Sequence, residues 1–106
     1  MWVDFKALTA LIPVSAVAKR LGWHQVAYIP ASRSARGPCP LHKGSYARST
    51  TFQVQDDRGY YRCFKCGRHG DVIQLYADHY GISRRAAALQ LVEDFRLTPD
   101  QVSGEE

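Results

Sequence analysis

Two short cysteine-bearing turns constrain this chain more than any other feature. The first reads Cys39-Pro40-Leu41-His42, and the second, twenty residues on, reads Cys63-Phe64-Lys65-Cys66. Each is a knuckle that aims two side chains at one point. Two knuckles brought together supply three thiolates and an imidazole at tetrahedral corners, the ligand set of a closed structural Zn²⁺ site. One zinc is expected, held by Cys39, His42, Cys63 and Cys66. The competing fourth ligand is His69, three residues after Cys66; it would crowd three ligands into one short run, so paired knuckles favour His42. His24 and His79 have no ligand spacing, and His79 reads as a polar-face helix residue. The reading without metal is three buried thiols and a surface histidine, which the paired spacing disfavours. No position is left open for a substrate, so the metal builds a platform and no catalytic residue is assigned.

A chain of 106 residues has room for one small domain. Such a domain buries a limited core, and a metal often supplies the missing stability. The odd cysteine count is absorbed by the metal site, which points to a reducing, cytoplasmic setting. Met1-Trp2-Val3-Asp4 lacks the basic start and apolar run of a signal peptide. No apolar stretch is long enough to span a bilayer, so no membrane role is expected.

Hydrophobic spacing divides the chain into three. Residues 4–22 read as two short helices broken near Ile12-Pro13, the second carrying Val14, Val17, Ala18 and Leu21 and stopping at Gly22. Residues 26–70 read as strands and turns. Val26 to Ile29 is β-prone, Ser32 to Ser34 is a polar loop, and Arg36-Gly37-Pro38 leads into the first knuckle. Thr50 to Val54 and Tyr60 to Cys63 form a hairpin about the turn Asp56-Asp57-Arg58-Gly59. Residues 71–96 return to helix, capped by Asp71 and Ser83, with Val72, Ile73, Tyr76 and Tyr80 expected on the buried side. The fold class is therefore α+β: a small zinc ribbon on an antiparallel sheet, flanked by N-terminal and C-terminal helices. Residues 1–97 form the single domain, and 98–106 are expected to be a flexible acidic tail.

Charge is concentrated around the knuckles. Between Arg33 and Arg68 stand eight basic residues against Asp56 and Asp57, a net of +6 in a chain whose total is +4. Such a patch fits a polyanion partner, although a solvated surface would look the same by composition alone. Arg33, Arg48, Arg58, Arg62, Lys65 and Arg68 are candidates to neutralise phosphates. Rings among Phe52, Tyr60, Tyr61 and Phe64 are candidates to stack on bases, with Phe52 the one selected. Tyr60 and Tyr61 face opposite sides of a strand, so only one can reach a ligand on a given face.

Three stretches together resemble a known family. They are Arg36-Gly37-Pro38-Cys39-Pro40-Leu41-His42, Tyr60-Tyr61-Arg62-Cys63-Phe64-Lys65-Cys66-Gly67 and Gly70-Asp71-Val72-Ile73. They are similar to the N-terminal Cys-His-Cys-Cys zinc-binding domain of bacterial DnaG-type DNA primases, and the likeness extends over about residues 4–97. It implies that Cys39, His42, Cys63 and Cys66 match the zinc ligands, that Arg33 and Arg58 fall near template-facing basic positions, and that Phe52 matches a family aromatic. It further implies a module that binds single-stranded DNA template in priming or replication and serves a separate primase catalytic domain or replication protein. The stretch from His42 to Phe52 departs from the pattern: it is longer and lacks the family's proline.

Primer synthesis needs clustered acids to hold Mg²⁺, on a catalytic domain far larger than this chain. Asp56-Asp57, Glu93-Asp94 and Glu105-Glu106 form no such cluster, so the chain is not expected to act as an enzyme by itself. The main alternative is a zinc-ribbon docking module for a replication or mobile-element partner, with little DNA binding of its own. A sequence-specific regulator fits less well, since only Arg84-Arg85 hints at a recognition helix.

Overall fold

The computed structural model describes residues 3–41 and 48–98. Two helices come first, α1 (Phe5–Leu11) and α2 (Val14–Arg20). Asp4 caps α1 by accepting from the N–H groups of Lys6 (3.0 Å) and Ala7 (3.4 Å). Pro13 forces Ile12 into an extended conformation and ends that helix. It then stands as the N-cap of α2 rather than inside its first turn. At the other end of α2, Gly22 at φ +96° lets the chain reverse. The Trp23 N–H reaches the Ala18 carbonyl at 3.0 Å, and the Gly22 N–H reaches that of Lys19 at 3.1 Å.

Among the described residues, five antiparallel strands follow in simple sequential order: β1 (Ala27–Ile29), β2 (Ser34–Gly37), β3 (Phe52–Gln55), β4 (Tyr60–Cys63) and β5 (His69–Gly70). The expected hairpin is therefore the centre of a larger sheet. Ser34–Gly37, expected as a loop and lead-in, is an inner strand paired on both sides. Its sequence is a poor strand former, and cross-strand pairing decides the outcome instead. Gly37 is obligatory there: a Cβ would stand 2.2 Å from the His24 carbonyl and 2.7 Å from the Trp23 indole nitrogen.

Helices α3 (Val72–Tyr80) and α4 (Arg84–Asp94) come last among the described elements. Asp71 accepts from the Gln74 N–H at 2.9 Å and Ser83 from that of Ala86 at 3.1 Å, so both expected caps are in place. Helices α2 and α3 pack on the sheet and α1 packs against α3 and α4, enclosing a core of Leu8, Val14, Val17, Phe52, Val54, Tyr61, Ile73 and Leu75. Tyr80 is a correction: the turn at Gly81 leaves it 53% exposed.

Phe52 is the larger correction. Its ring is 0% exposed and lies 6.3 Å from that of Trp23 and 5.6 Å from that of Tyr61. The register Gly37–Phe52–Cys63 and the apolar partner Val54 on the same side fix it in the core. It is therefore not a base-stacking ring. Alternation also separates the tyrosines: Tyr61 is buried and donates to Asp78 at 2.8 Å, whereas Tyr60 sits on the opposite face.

Candidate metal centre and nucleic-acid interface

Strand pairing brings the two knuckles together. Gly37, at the end of β2, and Cys63, at the end of β4, both register with Phe52, so each knuckle leaves the sheet at the same edge. The Sγ atoms of Cys39, Cys63 and Cys66 lie within 4.8 Å of one another. Thiolates on one tetrahedral Zn²⁺, at about 2.3 Å from the metal, stand roughly 3.8 Å apart, so a small closure suffices. Backbone N–H groups of Leu41 and Cys66 point at the sulfurs of Cys39 and Cys63, each at 3.4 Å. Burial pushes the Cys39 thiol up to about 12, and its neighbours Cys63 and Cys66 add to the rise while the Leu41 N–H opposes it. A metal must therefore displace a proton to bind, as thiolate sites require.

His42, expected as the fourth ligand, lies outside the described residues. The competing candidate, His69, is placed elsewhere. It registers with Arg62 on β4, so it lies on the sheet face opposite to Cys63, with its ring 6.2 Å from that of Tyr60. Among the described histidines, cysteines and acids, the group whose ligand atoms converge is the three cysteines.

The face turned away from the helices carries charge. Arg36, Gln53, Arg62 and His69 stand in one row across β2 to β5. Beside the row, the ring of Phe64 is 50% exposed. The guanidinium carbons of Arg36 and Arg62 lie 4.6 Å and 4.9 Å from its centroid. Lys65 and Arg68 are exposed in and just after the second knuckle, and Arg68 donates through Nη1 to the Leu41 carbonyl at 3.3 Å. The expected basic set is thus divided. Arg62, Lys65 and Arg68 cluster at the metal end, and Arg48 is exposed. Arg33 and Arg58 occupy the turns at the far end of the strands, where Gln55 donates to the Ser32 carbonyl at 3.0 Å. Arg58 there lines a hollow with Asp56, Asp57 and Lys6.

From sequence, Arg36 belongs to the basic segment and to the lead-in of the first knuckle; the added strand is what puts it on this face. Phe64 was one of four candidate rings, and its position two residues beyond Arg62 was the signal that it shares that residue's face.

A family profile described as the CHC2 zinc finger matches residues 14–106. The chain belongs to this family. Among its curated relatives, the DNA primase of Neisseria meningitidis serogroup A is 31% identical over 67 residues, covering 63% of this chain and 11% of the relative. The DNA primase of Chlamydia trachomatis is 33% identical over 73 residues, covering 66% and 12%. The crystal structure of the Aquifex aeolicus primase, comprising zinc-binding and RNA polymerase domains, matches 97% of this chain with a TM-score of 0.66 and 25% identity. This chain covers 24% of that one. It thus spans only about a ninth to a quarter of the chains it resembles.

The CHC2 family, the converging cysteines and the structural match agree on a structural zinc ribbon. Cys39, Cys63 and Cys66 would hold the metal, whose chemistry here is to lock the two knuckles to one sheet edge. Among the described residues no helix is long and apolar enough to cross a membrane.

Proposed function

We propose that this CHC2 zinc finger binds single-stranded DNA template through the outer face of its sheet. In this reading it serves priming in concert with a separate catalytic domain, in the reducing cytoplasm that its thiols favour. The observation that carries the reading is the exposed Phe64 ring flanked by Arg36 and Arg62. Guanidinium groups neutralise phosphates, and a half-exposed ring offers a stacking surface to an unpaired base. Lys65, Arg68 and Arg48 would extend the contact beside the metal, and Arg33 and Arg58 would join only if the strand runs the length of the sheet. His42 completes the zinc site and residues 1–97 act as one domain; the expected tail, 98–106, lies outside the described residues except for Thr98. The comparisons support the reading: the curated relatives are named DNA primase, and the matching Aquifex aeolicus structure comprises zinc-binding and RNA polymerase domains.

Fluorescence anisotropy with a short labelled oligonucleotide tests it. Single-stranded DNA should bind more tightly than duplex, and affinity should fall steeply with salt, each lost phosphate contact lowering the slope by about 0.7. No binding at low salt by zinc-loaded protein would sink the reading.

One observation favours a docking role as the second reading. Exposed Tyr80 and Ile82, with Tyr76, Arg20 and Asp94, line an open groove of about 620 Å³ on the helical side. A protein partner seated there would leave the sheet face free for DNA.

A further inference from the structure

Among the described residues, the two knuckles make different contacts. The second is fixed by backbone hydrogen bonds: the Cys63 N–H reaches the Arg68 carbonyl at 2.9 Å, the Gly67 N–H reaches that of Cys63 at 2.9 Å, and the Phe64 N–H reaches that of Thr51 at 2.8 Å. The first knuckle lies beyond the end of β2, and Pro40 has no N–H to give. Two consecutive carbonyls of this knuckle meet side chains instead. Arg68 Nη1 takes the Leu41 oxygen at 3.3 Å, and His79 Nδ1 stands 3.2 Å from the Pro40 oxygen.

His79 is well placed to hold it. It belongs to the last turn of α3, whose buried face is anchored in the core by Val72, Ile73, Leu75 and Tyr76. The half-buried imidazole also packs edge-on against Tyr80, with centroids 4.6 Å apart. A carbonyl only accepts, so Nδ1 must carry the proton, and the bond selects that tautomer.

We propose that His79 is a positioning residue for the zinc site: its Nδ1–H holds the Pro40 carbonyl and so presents Cys39 to the metal. It touches no metal ligand directly. It ties the knuckle to a rigid helix and lowers the cost of ordering it when zinc binds, as outer hydrogen bonds around metal sites do. This rests on the cysteine cluster holding zinc.

The zinc affinity of the full chain, measured by competition with a chromophoric chelator, provides the test. His79→Ala should weaken zinc binding roughly 10-fold, the lower end of the range for outer-sphere partners. His79→Asn should recover most of that loss, because its amide N–H stands where Nδ1–H stood. In the zinc-loaded wild type, ring-nitrogen NMR should show the proton on Nδ1, a measurement that needs no variant to fold. Unchanged affinity in His79→Ala, no recovery in His79→Asn, or an unprotonated Nδ1 would overturn the proposal. Failure of the wild type to bind zinc would instead overturn the metal reading beneath it.

Discussion

The carboxylate of Asp56, in the turn between β3 and β4, accepts from both the backbone N–H and the hydroxyl of Ser15, at 2.8 Å and 2.6 Å. Ser15 lies in the first turn of α2, whose N-cap is Pro13 and supplies no side-chain oxygen. A residue 41 positions away thus does the work of a cap and fastens the hairpin to the helix. Asp56→Ala should cost about 1 kcal/mol, within the range for lost N-caps. Urea denaturation of the zinc-loaded protein measures it, and Asp56→Asn, which keeps one acceptor, should recover part of the loss.

Asp71 joins α3 to α4 through a two-pronged contact with Arg84, at 3.0 Å and 3.2 Å. Burial pushes the Asp71 carboxyl up, but the Arg84 guanidinium and the Gln74 N–H outweigh it and hold it below the usual carboxylate range. A carboxyl lowered on folding contributes stability above its unfolded pKa of about 3.9, and the contribution is lost as pH falls through the lower folded value. Solvent reaches both side chains, so the contact is worth about 1 kcal/mol at most. Arg84→Met should therefore be less stable than wild type at pH 7, and the two should converge in acid. Comparing the two proteins at each pH cancels the zinc loss that acid causes in both. A difference that did not shrink as pH falls below the usual carboxylate range would contradict this account.

Zinc should be the largest single contributor to stability, on the order of 10 kcal/mol, comparable to the whole stability of a small domain. Chelation should unfold the sheet edge that carries both knuckles, read as loss of near-ultraviolet circular dichroism from the rings around Phe52. Metal analysis should give one zinc per chain. His42→Ala should lower occupancy and His69→Ala should leave it intact, because His69 faces away from the sulfurs.

What could be read from the sequence was what depends on neighbours along the chain. The spacing of the three cysteines, the caps Asp71 and Ser83 and the break at Pro13 are local chemistry: the cysteines converge, and the caps and the break stand where expected, with Pro13 shifted by one cap position. What depends on a partner far away was harder. Ser34–Gly37 is a strand only because β1 and β3 flank it, and β5 is two residues long. Arg36 entered the candidate interface with that strand. The contacts Asp56–Ser15 and His79–Pro40 span 41 and 39 positions and leave no local trace. Phe52 is different: the run Phe52-Gln53-Val54-Gln55 alternates apolar and polar, so its burial could have been inferred from the residues themselves.

Two phenylalanines should therefore behave in opposite ways. Phe52 fills the core between Trp23 and Tyr61, and Phe52→Ala removes a fully buried ring. It should cost about 3–5 kcal/mol in stability, which a small domain can scarcely spare. Phe64 stands on the open face, and its contacts are with the guanidinium groups of Arg36 and Arg62. Phe64→Ala should change stability by less than about 1 kcal/mol, the scale of exposed cation–π contacts. It should weaken single-stranded DNA binding by about 1–3 kcal/mol, the value of one base stacked on a ring, with little change in salt slope because no phosphate contact is removed. Arg62→Ala should do the reverse: a smaller loss of affinity at high salt than at low, with a shallower slope. Denaturation curves and anisotropy titrations on the same four proteins separate these effects. Equal affinities for wild type and Phe64→Ala across the salt series would remove the ring from the interface and leave the arginines as a purely electrostatic surface.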